Sequence, residues 1–144
     1  MDLDELLFGK ISKYFKKRNK KKILLDNNAV FLKDVRPRLT ILARAISGKA
    51  IEIFPAEREG GYKNNNFFLP IYFNELSSKE QNLSFYFFRI LFLSVQSEMN
   101  INLIADEVFP EEKNQQILTL LFQKYPNAEE IYEELKIHFE RKAT

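Results

Sequence analysis

Leu83-Ser84-Phe85-Tyr86-Phe87-Phe88-Arg89-Ile90-Leu91-Phe92-Leu93-Ser94-Val95 is the most apolar stretch of the chain, and the fold turns on how it is read. It is too short to cross a bilayer, which takes about 18–20 consecutive apolar residues, and Arg89 stands in its middle. Leu83, Tyr86, Phe87, Ile90, Leu91, Ser94 and Val95 recur at helical spacing. Ser77 and Glu80 have the spacing of a capping box. The stretch therefore predicts a buried central helix that ends near residue 98.

Working outward, Asn100 and Asn102 interrupt the pattern and Pro110 marks a boundary, which predicts a helix over 111–124. Tyr125-Pro126-Asn127 separates it from a last helix, in which Asn127 and Glu130 have capping spacing and Ile131, Leu135, His138 and Phe139 share a face. On the other side, residues 49–54 alternate and Asn66 to Leu69 forms a second short run closed by Pro70. With a polar connection between them, the two runs predict a β-ribbon. Arg36-Pro37 is expected to start the preceding helix, with proline in the first turn, and Gly48 to end it. Leu39, Leu42, Ala43 and Ile46 form its buried face, leaving Arg38 and Arg44 on others. Asp26-Asn27-Asn28 reads as a break. Before it, Asp2 and Glu5 can cap a helix over 3–21 whose apolar positions are Leu3, Leu7, Ile11 and Tyr14, with Leu6 and Phe15 beside them. The expected fold is mainly α, with about five helices packed around one short β-ribbon in a single domain over 1–144 and a core from about residue 35 onward.

The chain has 144 residues, enough for one self-sufficient core, and 14 phenylalanines to fill it. With no Cys there is no disulfide, thiolate catalysis or Cys-ligated metal, and one His leaves no multi-histidine metal cage. The acidic start Met1-Asp2-Leu3-Asp4-Glu5 lacks the basic n-region of a signal peptide, so a cytoplasmic location is expected, with no membrane span.

Charge is graded along the chain. Residues 1–49 carry 13 Lys and Arg against 5 Asp and Glu, whereas residues 98–144 carry 5 against 10. Such a gradient fits either an anionic partner or two ends that attract each other. Its strongest element is Lys10, Lys13, Lys16, Lys17, Arg18, Lys20, Lys21 and Lys22. Cations in the last turns of a helix favour its dipole, and a solvated charge run is the ordinary explanation, but eight exceed what the dipole needs.

Catalytic chemistry has little to stand on. His138 has the acids Glu134 and Glu140 nearby in sequence but no recognisable catalytic partner. Asp106, Glu107, Glu111 and Glu112 lack the glycine turn of a calcium loop. Glu57 and Glu59 bracket Arg58 in a polar segment where carboxylates stay solvated. Gly60-Gly61 lacks the Lys-Ser/Thr pair of a phosphate-cradling loop. The expectation is a protein that is not an enzyme and takes no cofactor or metal.

Leu39 to Lys49, then Ile51-Glu52-Ile53, Pro55-Ala56-Glu57-Arg58-Glu59-Gly60-Gly61 and Phe68-Leu69-Pro70, followed by Asn82, Tyr86 and the aromatic helix through Gln96, resemble the N-terminal region of NorD/CbbO-type proteins. The resemblance covers residues 35–97. It implies an adaptor that works with a MoxR-type AAA+ ATPase in activating a metalloenzyme, in proteins that carry a von Willebrand factor A domain toward the C-terminus. No Asp-x-Ser-x-Ser metal motif occurs in these 144 residues, so the family's metal-dependent contact is not expected here, and ATPase activity belongs to the partner. The leading expectation is a non-enzymatic adaptor that binds the ATPase or its target through the loop Glu57, Arg58, Glu59, Gly60 and Gly61. Its glycines allow close backbone approach, and Arg58 can form charge-assisted hydrogen bonds, although glycines that merely make a turn are the plainer explanation. The alternative is a small nucleic-acid-binding domain that uses the cluster Lys10 to Lys22. A third possibility sets those lysines against Glu129, Glu130, Glu133 and Glu134 within the fold; exposed pairs of this kind contribute only about 0.2–1 kcal/mol each.

Overall fold

The computed structural model describes residues 27–58, 60–104 and 111–143. The expected helix over 3–21 and the cluster Lys10 to Lys22 lie outside the described residues.

The chain enters through β1 (Val30–Phe31) and passes directly into α1 (Leu32–Ser47). This helix starts earlier than Arg36-Pro37 suggests, and Pro37 lies inside it. The reason is apolar: Leu32 and Val35 extend the buried line of Leu39 and Ala43 by one more turn. Burying two such side chains contributes roughly 1.5–3 kcal/mol each, enough to offset the ~3 kcal/mol cost of an interior proline. The Leu32 N–H donates to Ile71 O at 2.7 Å, which anchors the first turn to a neighbouring segment. Gly48, at φ +69°, closes the helix through its N–H to Arg44 O at 2.9 Å.

The expected ribbon is in fact a mixed sheet. Strands β2 (Glu52–Ala56), β3 (Gly61–Lys63), β4 (Asn66–Pro70) and β6 (Leu103–Ile104) lie in the order β2-β4-β3-β6, with β2 parallel to β4 and the other pairs antiparallel. A separate antiparallel pair joins β1 to β5 (Tyr72–Phe73). Asn64 and Asn65, both at positive φ, make the two-residue turn of the β3–β4 hairpin, so β4 inserts between β2 and β3. The expected polar connection thus contains the end of one strand and the whole of another. Ile53, Phe67, Leu69 and Tyr62 on the sheet's inner face join the buried core.

The central helix, α2 (Lys79–Glu98), is capped by Ser78, one residue later than Ser77: its side chain accepts from the Gln81 N–H at 3.2 Å. It packs against α1, β3 and β4 on one side and against α3 (Glu111–Lys124) and α4 (Ala128–Ala143) on the other. Being covered from several sides explains why it is apolar nearly all round. Phe85 stacks on Phe73 with centroids 3.8 Å apart, and Phe88 stacks on Tyr132 at 5.6 Å. The fold is mainly α with small sheets. It has four helices among the described residues, and the fifth expected helix falls on the segment outside them.

Candidate functional site

The turn after β2 is shaped by where β4 lies. Since β4 separates β2 from β3, the chain must climb over one end of β4 between Ala56 and Gly61, a gap of two strand spacings, or roughly 10 Å. Gly60 makes the closest approach: at φ +80°, a Cβ added to it would lie 1.8 Å from Phe68 O and 2.4 Å from Phe68 C. No side chain fits there. Gly61 is the first residue of β3, is buried, and pairs with Phe68 across the sheet. Of the five predicted loop residues, Glu57 and Arg58 are exposed, Gly60 and Gly61 are buried, and Glu59 lies outside the described residues. The turn therefore carries two solvent-facing charges on a base pinned to the sheet.

Beside it, α1 runs antiparallel to β2 and covers its outer edge. Arg36 Nε donates to Ile53 O at 3.0 Å, and Arg44 Nε to Ile51 O at 2.9 Å. Arg44 also pairs with Glu52 at 2.7 Å. At that edge, the Ile51 N–H turns back to Lys49 O, and Pro55 has no N–H to give. Guanidinium groups and a proline thus occupy positions that an added strand would need, which protects an edge strand from unwanted pairing.

Three polar residues that the sequence places in the aromatic helix are structural ties. Asn82, fully buried, accepts from the Leu76 N–H at 2.9 Å and donates to Asn28 O at 2.7 Å. The Tyr86 hydroxyl donates to Pro70 O at 2.7 Å, and burial pushes its pKa well above the usual tyrosine value. Gln96 Nε2 donates to Ile101 O at 2.7 Å and to Leu103 O at 3.0 Å. Asn82, Arg89 and Gln96 recur every seventh residue on one line of the helix and are all buried. That line of polar residues within an apolar run was the available sequence signal for the Asn82 and Gln96 ties.

A cleft of about 300 Å³ lies where the C-terminal ends of α1, α2 and α3 meet, lined by Ser47, Lys49, Ser97, Glu98, Lys124 and Tyr125 among others. Lys49 Nζ donates to Ser97 O at 3.0 Å and Ser97 Oγ at 2.8 Å, and Lys124 pairs with Glu98. Both ammonium groups complement the negative ends of these helices. Glu111 and Glu112 are exposed on the first turn of α3, while Asp106 and Glu107 lie outside the described residues, as does the side chain of His138. Among the described residues, no group of three or more His, Cys, Asp or Glu side chains is placed to hold a metal ion, and no helix is long and apolar enough to cross a membrane. No protein-family model, no curated protein and no solved structure matches this chain.

Proposed function

We propose that the chain is a non-enzymatic adaptor domain which binds another protein through the turn after β2. The observation that carries this reading is the division of labour within the turn. Gly60 is held against β4, while Glu57 and Arg58 are exposed beside that fixed base and have no hydrogen-bond or ion-pair partner among the described residues. Charged side chains displayed on a rigid scaffold suit recognition, because little backbone order remains to be lost on binding. The resemblance of residues 35–97 to NorD/CbbO-type proteins suggests the partner: a MoxR-type AAA+ ATPase, or the metalloenzyme it helps to activate.

The test is calorimetric titration of a purified MoxR-type ATPase with the native chain and with Arg58→Glu. Native binding that weakens about tenfold or more in the variant supports the reading. Equal binding by both would show that the turn is not the contact. Gly60→Val is unsuitable as a binding probe, since its side chain collides with Phe68 O and would act through the fold.

The second reading, nucleic-acid binding, rests on the sequence cluster Lys10 to Lys22. If about five of these cations neutralised phosphates, log K on duplex DNA would fall with log salt at a slope of about −4 to −5. Absence of binding at about 50 mM salt removes this reading.

A further inference from the structure

Ser47, Glu98 and Lys124 are the last residues of α1, α2 and α3, and all three line the cleft of about 300 Å³. That volume lies at the lower end of the range for small-ligand sites. Its hydrogen bonds show what the cleft still has to offer. Lys49 Nζ donates to Ser97 O at 3.0 Å and to Ser97 Oγ at 2.8 Å, and it stands 5.7 Å from the centre of the Tyr62 ring. The buried Ser94 hydroxyl gives its proton to Ile90 O at 2.7 Å, and Lys124 pairs with Glu98. Both ammonium groups and the Ser94 proton thus already face acceptors. Lone pairs remain on Ser94 Oγ, on the second carboxylate oxygen of Glu98, and on Ser47 Oγ beside the Lys49 N–H that it accepts at 3.1 Å. Charge points the same way: Lys49 and Lys124 less Glu98 leave one positive charge, against three helix C-terminal ends of roughly −0.5 each. No positive excess is left to hold an anion.

We propose that this cleft binds a primary ammonium group carried on a short aliphatic stem. An ammonium donates three hydrogen bonds and accepts none, which complements the lone pairs of Ser94, Ser47 and Glu98. Ile46 and Val95 supply apolar lining for the stem, and the aromatic ring of Tyr125 adds a surface that attracts cations. The buried hydroxyls of Ser94 and Ser97 make the floor, so the ligand enters the cleft instead of resting on the exposed Glu98. A free amine and the lysine side chain of a partner share this chemistry. The cleft lies beside the chain that enters β2, and the turn with Glu57 and Arg58 follows the other end of that strand. The inference goes beyond the adaptor reading and does not rest on it.

The test uses the full chain, isotopically labelled and followed by amide resonances, and titrated with butylammonium chloride at constant ionic strength. Shifts confined to Ser47, Lys49, Ser94, Val95, Ser97 and their neighbours are expected. Affinity should fall about tenfold in Glu98→Gln and rise about threefold in Lys124→Met, which removes a competing ammonium. Glu98 and Lys124 are exposed, so both variants retain the core. The sign of the second change is decisive, because an anion site would lose affinity with Lys124. Stronger binding of butylammonium than of an Nα-acetylated lysine amide assigns the site to a free amine, and the reverse order assigns it to a partner's lysine. The proposal is overturned if butyrate or 1-butanol binds the same amides as tightly, or if potassium chloride alone saturates them. Shifts spread over the exposed glutamates of α4, or none at about 10 mM amine, would overturn it too.

Discussion

Gly48 and Gly60 have nearly the same backbone conformation, φ +69° and +80°, and sit at opposite extremes of crowding. Nothing lies within 4 Å of the space a Cβ on Gly48 would occupy, whereas a Cβ on Gly60 would overlap a carbonyl of β4. The first glycine is needed for its dihedral angle alone. The second is needed for angle and space together, because the chain crosses over a strand inserted between its neighbours. Positive φ by itself therefore says little about what a glycine does, and the glycine most exposed to functional interpretation in the sequence is the one most fully used by the fold.

Substitutions along both regions can break or sharpen that contrast. Gly60→Ala should have the largest effect, more than about 3 kcal/mol, since the new methyl group meets backbone rather than a side chain that could swing away. Chemical denaturation would read it as a lowered midpoint with an unchanged slope.

Next come the groups that hold each region in place. Tyr86 ties Pro70, at the end of β4 beneath the crossing, so Tyr86→Phe should cost about 1 kcal/mol at neutral pH. Burial raises the Tyr86 pKa in the folded state, so the folded protein holds this proton more tightly than the unfolded chain. Its contribution is intact below the unfolded value of about 10 and is lost as pH rises above it. Tyr72, raised by burial and then by Glu75, adds in the same direction. Stability measured against pH should therefore decline above about pH 10, less steeply in Tyr86→Phe than in the native protein. At the other region, Arg44→Ala should cost about 1 kcal/mol by leaving Ile51 O without its guanidinium donor; the exposed pair to Glu52 adds little.

Gly48→Ala should cost about 1 kcal/mol, the penalty of left-handed backbone for an L-residue, and Gly48→Asn less. The smallest effect is expected at Arg58→Glu, within about 0.5 kcal/mol of native stability, although the same variant should lose partner binding.

Most helices were legible because their signals are local. The central helix announces itself in one apolar run, and α3 begins and ends where Pro110 and Tyr125-Pro126 predict. Gly48 reads correctly as a terminus for the same reason. The start of α1 was hidden by Pro37, whose local signal yields to the burial of Leu32 and Val35. The sheet was not legible as built: a two-residue Asn turn and a three-residue strand inside a polar stretch leave little pattern, and the insertion of β4 depends on pairings distant in sequence. This is why Glu57 to Gly61 looked like one surface loop. Its charged residues are on the surface, and its glycines belong to the sheet.

Thermal unfolding of Gly60→Ala beside Arg58→Glu tests this division most directly. The account predicts that Arg58→Glu melts within a degree or two of the native chain, while Gly60→Ala melts about 10 °C lower. Native-like melting of Gly60→Ala would contradict the crossing of β4 from which the proposed site is built.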